Sequence, residues 1–551
     1  MCSHQGRLQV RTVAPYHLSL LALPPIDAFV NHFFGTVNYR YNSVYAPTFT
    51  DQYVQWWSDR TRGRNLSPEF TCLLLRICAY SGQYLPPELQ IMVQFELACT
   101  PQSLTDRLAE AADQLSASFA PSHPCLERVQ EQFLKCAWLK SESRMVETWH
   151  VLGRAIREAQ ELGFDKDTGL DSLTEFEIEI RRRVWALLYI WDWLVDLLFR
   201  MSPADLLRQM SAWLGRPHLI DQTNHSFTLP NLRLETDSTK PNLVSPFAHI
   251  SLQAELARRI TPHKLDQSMS NLTVDQIFAI ESECEKFIQN LPPIFRIESP
   301  DLSLDEQHQY FVGQRYQLHV VTYMTMFDFL KLYLTRSPKN PKSARDTELR
   351  HLAIDICFKL VNASRRLFDH EFPINAKWHL VIFSIFDTAA VLCSAIIHDV
   401  DNVLPHREQI MNAIEGSLDL LHQLSLTRIG AASYKFLFNL VEASAVLSRW
   451  FARRKRPRLE MTTSAPEPHS AQVPQSIPTD TAGPSTNLEL NPAPSISDDG
   501  GLAFDMEQFL AQNPLGEASQ FDMGGLEEIW DWDSLNLDAF LNPNPNNNSN
   551  I

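Results

Sequence analysis

The nine cysteines of this 551-residue chain include no CxxC pair. The closest two, Cys72 and Cys78, lie in the apolar run CLLLRICAY, a setting for buried thiols rather than metal ligands. An odd number of scattered cysteines argues against a disulfide framework and for a reducing compartment. Period-two alternation is almost missing, so strands are not expected. No GxSxG elbow, Walker A loop, HExxH helix or GxGxxG turn occurs, which removes the commonest enzyme signatures. The most apolar run, VWALLYIWDWLVDLLF, is interrupted by Asp192 and Asp196 before the ~20 residues of a bilayer span are reached. LSLLALPP is short for a secretory core, and no small-residue cleavage site follows it. A soluble protein without membrane contact is expected. Excess positive charge is missing too: a net charge of −17 argues against broad nucleic-acid binding by this chain.

What is present is helical periodicity. It predicts helices at about 26–36, 51–59, 67–80, 87–98, 102–119, 124–141, 143–162 and 173–200. Others follow at about 244–260, 273–290, 304–335, 343–371, 376–398, 405–425 and 430–454. No equal-length repeat emerges, so the expected fold is all-α, an irregular multi-helix domain over residues 23–452 behind an unstructured stretch 1–22. After Trp450 the composition changes. RRKRPR supplies Arg453, Arg454, Lys455, Arg456 and Arg458, the densest basic cluster in the chain. Residues 453–500 read as this cluster plus a Pro/Ser/Thr-rich disordered linker. Residues 501–551 combine acids with large hydrophobes, and no Lys or Arg occurs after Arg458.

The chain is organised around Met145 to Pro230. Val146, Trp149, Leu152, Ile156, Ala159 and Leu162 recur at helical spacing, and Gly163 supplies a C-terminal stop. Ser172 and Glu175 have capping-box spacing ahead of a second helix carrying Phe176, Ile180, Val184, Leu187 and Trp191 on one face. Glu177 with Arg181 and Glu179 with Arg183 stand at (i, i+4) on another. The Arg181–Arg183 run suits a phosphate patch less well than a self-paired, partly solvated face that locks its neighbours. Trp185, Trp191, Trp193 and Trp213 suit core packing better than a ligand cage. Asp369, His370, His398, Asp399 and Asp401 are the acid/base candidates, each in an ordinary helix-end context.

The ordered set WxxLGxAIRxAxxLG, ExExRRRVW, a later Asp, LGRP and LP resembles the middle homology region of fungal zinc-binuclear-cluster transcription factors. The matching residues are Trp149, Gly153, Ala155, Ile156, Arg157, Ala159, Leu162, Gly163, Glu177, Glu179, Arg181, Arg182, Arg183, Val184, Trp185, Asp192, Gly215, Arg216, Pro217, Leu229 and Pro230. PPIDAFVNHFFGTVNYRYNSVYAPTF is similar to the family's opening stretch, so the likeness runs over most of residues 24 to 450. Asp165 is a departure, standing where the family commonly has His. The resemblance implies a helical regulatory domain, a nuclear transcription regulator, and no enzyme. It leaves homodimerisation and an inducer pocket open. Family members usually carry six cysteines, starting CxxCxxxxxxC, that hold two zinc ions and place a helix in the DNA major groove. None stand here. The expectation is therefore either a gene model that starts late, with zinc in the missing cluster, or a regulator reaching DNA through a partner factor. No cofactor is expected in this chain itself.

Two tail features carry the functional expectation. The basic cluster 453–458 is read as a nuclear import signal rather than as cations closing a helix. In the acidic tail, Leu526, Ile529, Trp530, Leu537, Phe540 and Leu541 can share one face of a helix induced by a coactivator, with Trp532 a further apolar anchor. The competing reading is a C-terminal helix docked on its own domain. Leu194 to Arg208 separates Asp192 from LGRP, and deleting it restores the family spacing. The Val195 codon begins with GT, and Ala204-Asp205 can be encoded by GCTGAC, so the stretch is expected to be a retained intron whose presence would force costly repacking.

Overall fold

Helix starts are set by side chains that take up the first free backbone N–H groups. In the computed structural model, Ser67 Oγ accepts from Phe70 N (3.1 Å) and Thr100 Oγ1 from Ser103 N (3.1 Å), each followed by proline in the first turn. Thr273 and Gln276 close a reciprocal capping box. The structure describes residues 26–119, 123–199, 219–221, 227–235, 243–264, 272–335, 344–399 and 402–455.

In order, the helices are α1 Ile26–His32, α2 Ala46–Thr61, α3 Pro68–Ser81, α4 Pro87–Leu97, α5 Pro101–Ser116, α6 Leu126–Ser141, α7 Met145–Glu161 and α8 Glu175–Phe199. They continue with α9 Ala248–Lys264, α10 Val274–Gln289, α11 Tyr310–Thr335, α12 Ala344–Glu371, α13 His379–His398, α14 Arg407–Gln423, α15 Arg428–Ala443 and α16 Ala445–Lys455. No strand occurs among the described residues, and the all-α expectation holds. α1 runs on through a π turn, Phe33–Val37, and a 3₁₀ turn, Asn38–Arg40.

Among the departures from expectation, which include a start of α11 at Tyr310 rather than near 304, four have a clear physical reason. α2 begins at Ala46 rather than near 51, because Pro47 is tolerated in the first turn. The single helix expected at 430–454 is two: Ser444 is extended (φ −80°, ψ 114°) and its Oγ accepts from Leu447 N at 3.4 Å. The box that starts α8 is Thr174 with Glu177, not Ser172 with Glu175. Thr174 Oγ1 accepts from Glu177 N (3.2 Å), and the Glu177 carboxylate accepts from Thr174 N (2.8 Å). Finally, the most apolar helix is α13, not α8; it is long and apolar enough to cross a membrane, but 94% of that span is buried among its neighbours.

α3 is enclosed by α5 and α6, and α6 folds back on α7. α8 bridges α7 and α9, while α13 is surrounded by α11, α12, α14 and α15. One continuous apolar core joins the two halves.

His249 and His319 are among the histidines built into this core. His249 places its ring nitrogens against Pro246 O (3.0 Å) and Arg40 O (2.8 Å), and His319 sets Nε2 on Phe295 O at 3.1 Å. Burial pushes both down to about 4, against the pull of those carbonyls. The unfolded chain takes up these protons near pH 6.5, whereas the native state refuses them until about 4. Stability is therefore full above pH 6.5 and falls as the solution is acidified, by on the order of 1.4 kcal/mol per pH unit for each histidine. Denaturant midpoints measured from pH 7 to 5 should fall less steeply for His319→Gln than for the parent. Parallel slopes would show that His319 titrates normally.

Candidate functional site

The motif residues of α8 act through their carboxylates and guanidinium groups on backbone that lies far away in sequence. Glu179 Oε2 accepts from Asn231 N (2.8 Å) and Oε1 from Leu232 N (3.0 Å), immediately after Leu229-Pro230. Leu232 has φ +61°, the left-handed turn at this close approach of consecutive N–H groups to one carboxylate. About three and a half turns further along, Asp192 accepts from Leu219 N (3.1 Å) and Ile220 N (2.9 Å). Both acids are buried. Two clamps thus fasten the segment returning from α8 along the helix itself.

The three arginines face three different partners. Arg181 donates to Leu162 O (3.2 Å) at the end of α7 and lies over the Phe164 ring (5.3 Å). Arg182 pairs with Asp167 (2.9 Å), whose other oxygen accepts from Thr228 N (2.7 Å). Burial opposes the charge of Asp167, but Thr228 and Arg182 outweigh it and hold its carboxyl below the usual range. Arg183 is buried, bonding Glu179 (2.9 Å) and both oxygens of Glu235 (2.6 and 2.9 Å). Burial disfavours its charge, yet Glu235 and Glu179 raise its pKa. The expected Glu177–Arg181 pair is replaced by the Thr174 cap, which occupies the Glu177 carboxylate. Of the face expected to be partly solvated, Glu179 and Arg183 are interior.

The remaining motif residues are packing and turn positions. Gly163 has φ +71°, which closes α7. A Cβ on Gly153 would meet Arg157 Nη2 at 3.3 Å and Leu219 Cδ1 at 3.4 Å, so the clamped segment crosses α7 there. Trp149 and Arg157 line a cavity of about 340 Å³. Trp185, Trp191 and Trp193 are buried, Trp191 edge-on to Tyr41 and Phe133. Trp213, Gly215, Arg216 and Pro217 lie outside the described residues, as do Arg456, Arg458 and every tail residue from Leu526 to Leu541. Arg453, Arg454 and Lys455 end α16.

The chain leaves α8 at Phe199 and is back at Asp192 by Leu219. The Gly215-Arg216-Pro217 turn that residues 194–208 were expected to displace lies outside the described residues.

Of the acid/base candidates, Asp399 accepts from Val403 N (2.7 Å) and Leu404 N (3.2 Å) and pairs with Arg407, which is a loop-fastening role. His370 borders a cavity of about 620 Å³ between the turn after α1, α11 and the end of α12. A second cavity, about 310 Å³, lies between that turn and Arg183. Among the described residues no group of three or more His, Cys, Asp or Glu could hold a metal ion. Sequence reading missed Arg40, which sits in the quoted opening stretch; its only signal was a cation among aromatics.

Residues 30–289 match the fungal specific transcription factor domain. The probable transcription factor sol4 of Alternaria solani is 28% identical over 394 residues, covering 68% of this chain and 66% of that protein. Transcription factor xilB of Penicillium rubens is 24% identical over 470 residues, 79% of this chain and 66% of its own. The Zn(2)-C6 fungal-type transcription factor pigI of Monascus ruber is 24% identical over 231 residues, 41% of this chain and 26% of that protein. The chain thus spans just under two thirds of the length of the first two. No solved structure matches it. Residues 30–289 are thus similar to the fungal specific transcription factor domain, and the relatives named here are transcription factors.

Proposed function

We propose that this chain is a nuclear transcription regulator, an activator whose helical domain is regulatory and whose residues 501–551 recruit coactivators. The observation that carries the reading is the domain match over residues 30–289, supported by relatives named as transcription factors. The acids and aromatics of the tail support activation. DNA contact is assigned to a zinc cluster or a partner factor, because the net charge of −17 suits neither phosphate neutralisation nor groove binding by the whole chain.

Nuclear import is assigned to the basic cluster. Changing Arg453, Arg454, Lys455 and Arg456 to Ala should leave a fluorescent fusion of this 63.2 kDa chain largely cytoplasmic. Continued nuclear accumulation of the quadruple variant would reduce the cluster to the closing turn of α16.

We also propose that Leu194 to Arg208 is a retained intron. Its support is the family spacing. Sequencing spliced transcripts should show a predominant messenger lacking these codons. A predominant product that keeps them rejects the idea.

A further inference from the structure

α4 has an apolar side that no described residue covers. It is 11 residues long and leans on α5, with Val93 its one fully buried side chain. Helices this short are held by packing more than by their own propensity. Yet Ile91 (64% exposed) and Phe95 (89%) stand one turn apart on its outer side, in line with exposed Glu88 and Ala98. Single exposed hydrophobes are ordinary on a protein surface. This is a pair on one helix face, and Phe95 is the most exposed large apolar side chain among the described residues.

The charge carried by this stretch is of one sign. From residue 77 to residue 106 the chain has no Lys, Arg or His. Glu88 and Glu96 flank the apolar pair, both exposed, and no described cation pairs with either. The first 26 residues are the converse: they hold Arg7 and Arg11, no Asp or Glu, and the apolar run LSLLAL from Leu18 to Leu23. The described chain then begins beside the turn that feeds α4. Ser81 Oγ donates to Phe29 O (3.0 Å), and the His32 ring meets Tyr84 O (2.7 Å), just before α4 starts at Pro87. The stretch from Leu18 to Ile26 can reach up to about 28 Å, whereas α4 is only about 16 Å long.

We propose that α4 is the docking surface for residues 7–23 of this same chain. Leu18, Leu20, Leu21 and Leu23 cover Ile91 and Phe95, while Arg7 and Arg11 meet the carboxylates of Glu88 and Glu96. The stretch expected from sequence to be unstructured is on this reading a strap across the outside of the domain. The short connection to Ile26 holds the strap at millimolar effective concentration, so a contact too weak to join separate molecules forms within one. Other occupants suit the surface less well. A second copy brings the same two glutamates against it, and residues 501–551 carry acids with no Lys or Arg.

The test uses the full chain. The photo-crosslinker benzoylphenylalanine is placed at position 95, and the irradiated product is sized on a denaturing gel and mapped by mass spectrometry. The expected product joins position 95 to residues 7–23 within one molecule. A product joined to a second copy, to residues 501–551 or to any other segment overturns the proposal, as does no product. A second readout is trypsin cleavage between Arg11 and Thr12, which follows the population of the undocked strap. Phe95→Glu changes an exposed side chain, so the domain should stay folded while cleavage there rises at least tenfold. Leu426→Glu, at a position 63% exposed in the turn between α14 and α15, should be cleaved like the parent. Equal rates for Phe95→Glu and the parent, or a Leu426→Glu rate as high as that of Phe95→Glu, overturn the docking.

Discussion

Replacing Arg76 by methionine is expected to destabilise the domain by about 3–5 kcal/mol, enough to deplete soluble protein. Arg76 is 1% exposed and ties three helices together. Its Nε donates to Glu131 Oε2 of α6 (3.0 Å), Nη1 to Ala109 O of α5 (3.1 Å), and Nη2 pairs with Asp113 of α5. Burial works against its charge, but Glu131 and Asp113 more than compensate and raise its pKa. Asp113 keeps Lys135 (2.5 Å) and is partly in solvent, so it survives the loss. Glu131 does not: it is 1% exposed, and Ser116 Oγ (2.7 Å) is then its remaining support. The cost is that of an uncompensated buried carboxylate, so Arg76→Met/Glu131→Gln should recover much of it. Urea midpoints of parent, single and double variants decide the matter. A single variant within about 1 kcal/mol of the parent would rank this network with exposed ion pairs.

The second large effect is on the tail. Residues 501–551 fused to a foreign DNA-binding domain should raise reporter expression by themselves. Replacing Trp530, Trp532 and Phe540 with Ala should abolish it, because a few aromatic anchors carry most of the energy in such interfaces. The acids Glu527, Glu528, Asp531, Asp533 and Asp538 are left in place, so the triple variant separates apolar anchoring from charge. A silent fusion, or a triple variant as active as its parent, would falsify the assignment of activation to this segment.

How much of this was legible depended on range. Helices were readable because their periodicity is local, and α3, α6, α7, α8, α10 and α12 begin and end within a few residues of expectation. Errors arose where one side chain decides a boundary: Ser444 splits a helix, and Thr174 takes the Glu177 carboxylate that spacing had assigned to Arg181. The motif acids were legible as residues but not as functions. Glu179 meets Asn231 across 52 positions, and Asp192 meets Leu219 across 27, and no periodicity reports contacts of that separation. Arg40 was invisible for the same reason, since its setting is assembled from Tyr84, Gln314 and Trp378.

The clamps on α8 grip amides that every residue except proline possesses. The clamps therefore exclude only proline at Leu219, Ile220, Asn231 and Leu232, and packing decides the side chain at positions such as Ile220, which is buried, and Leu219, which meets Gly153. The acids of α8 thus recognise the returning segment by its backbone, and a changed side chain there is felt through packing and not through the clamp.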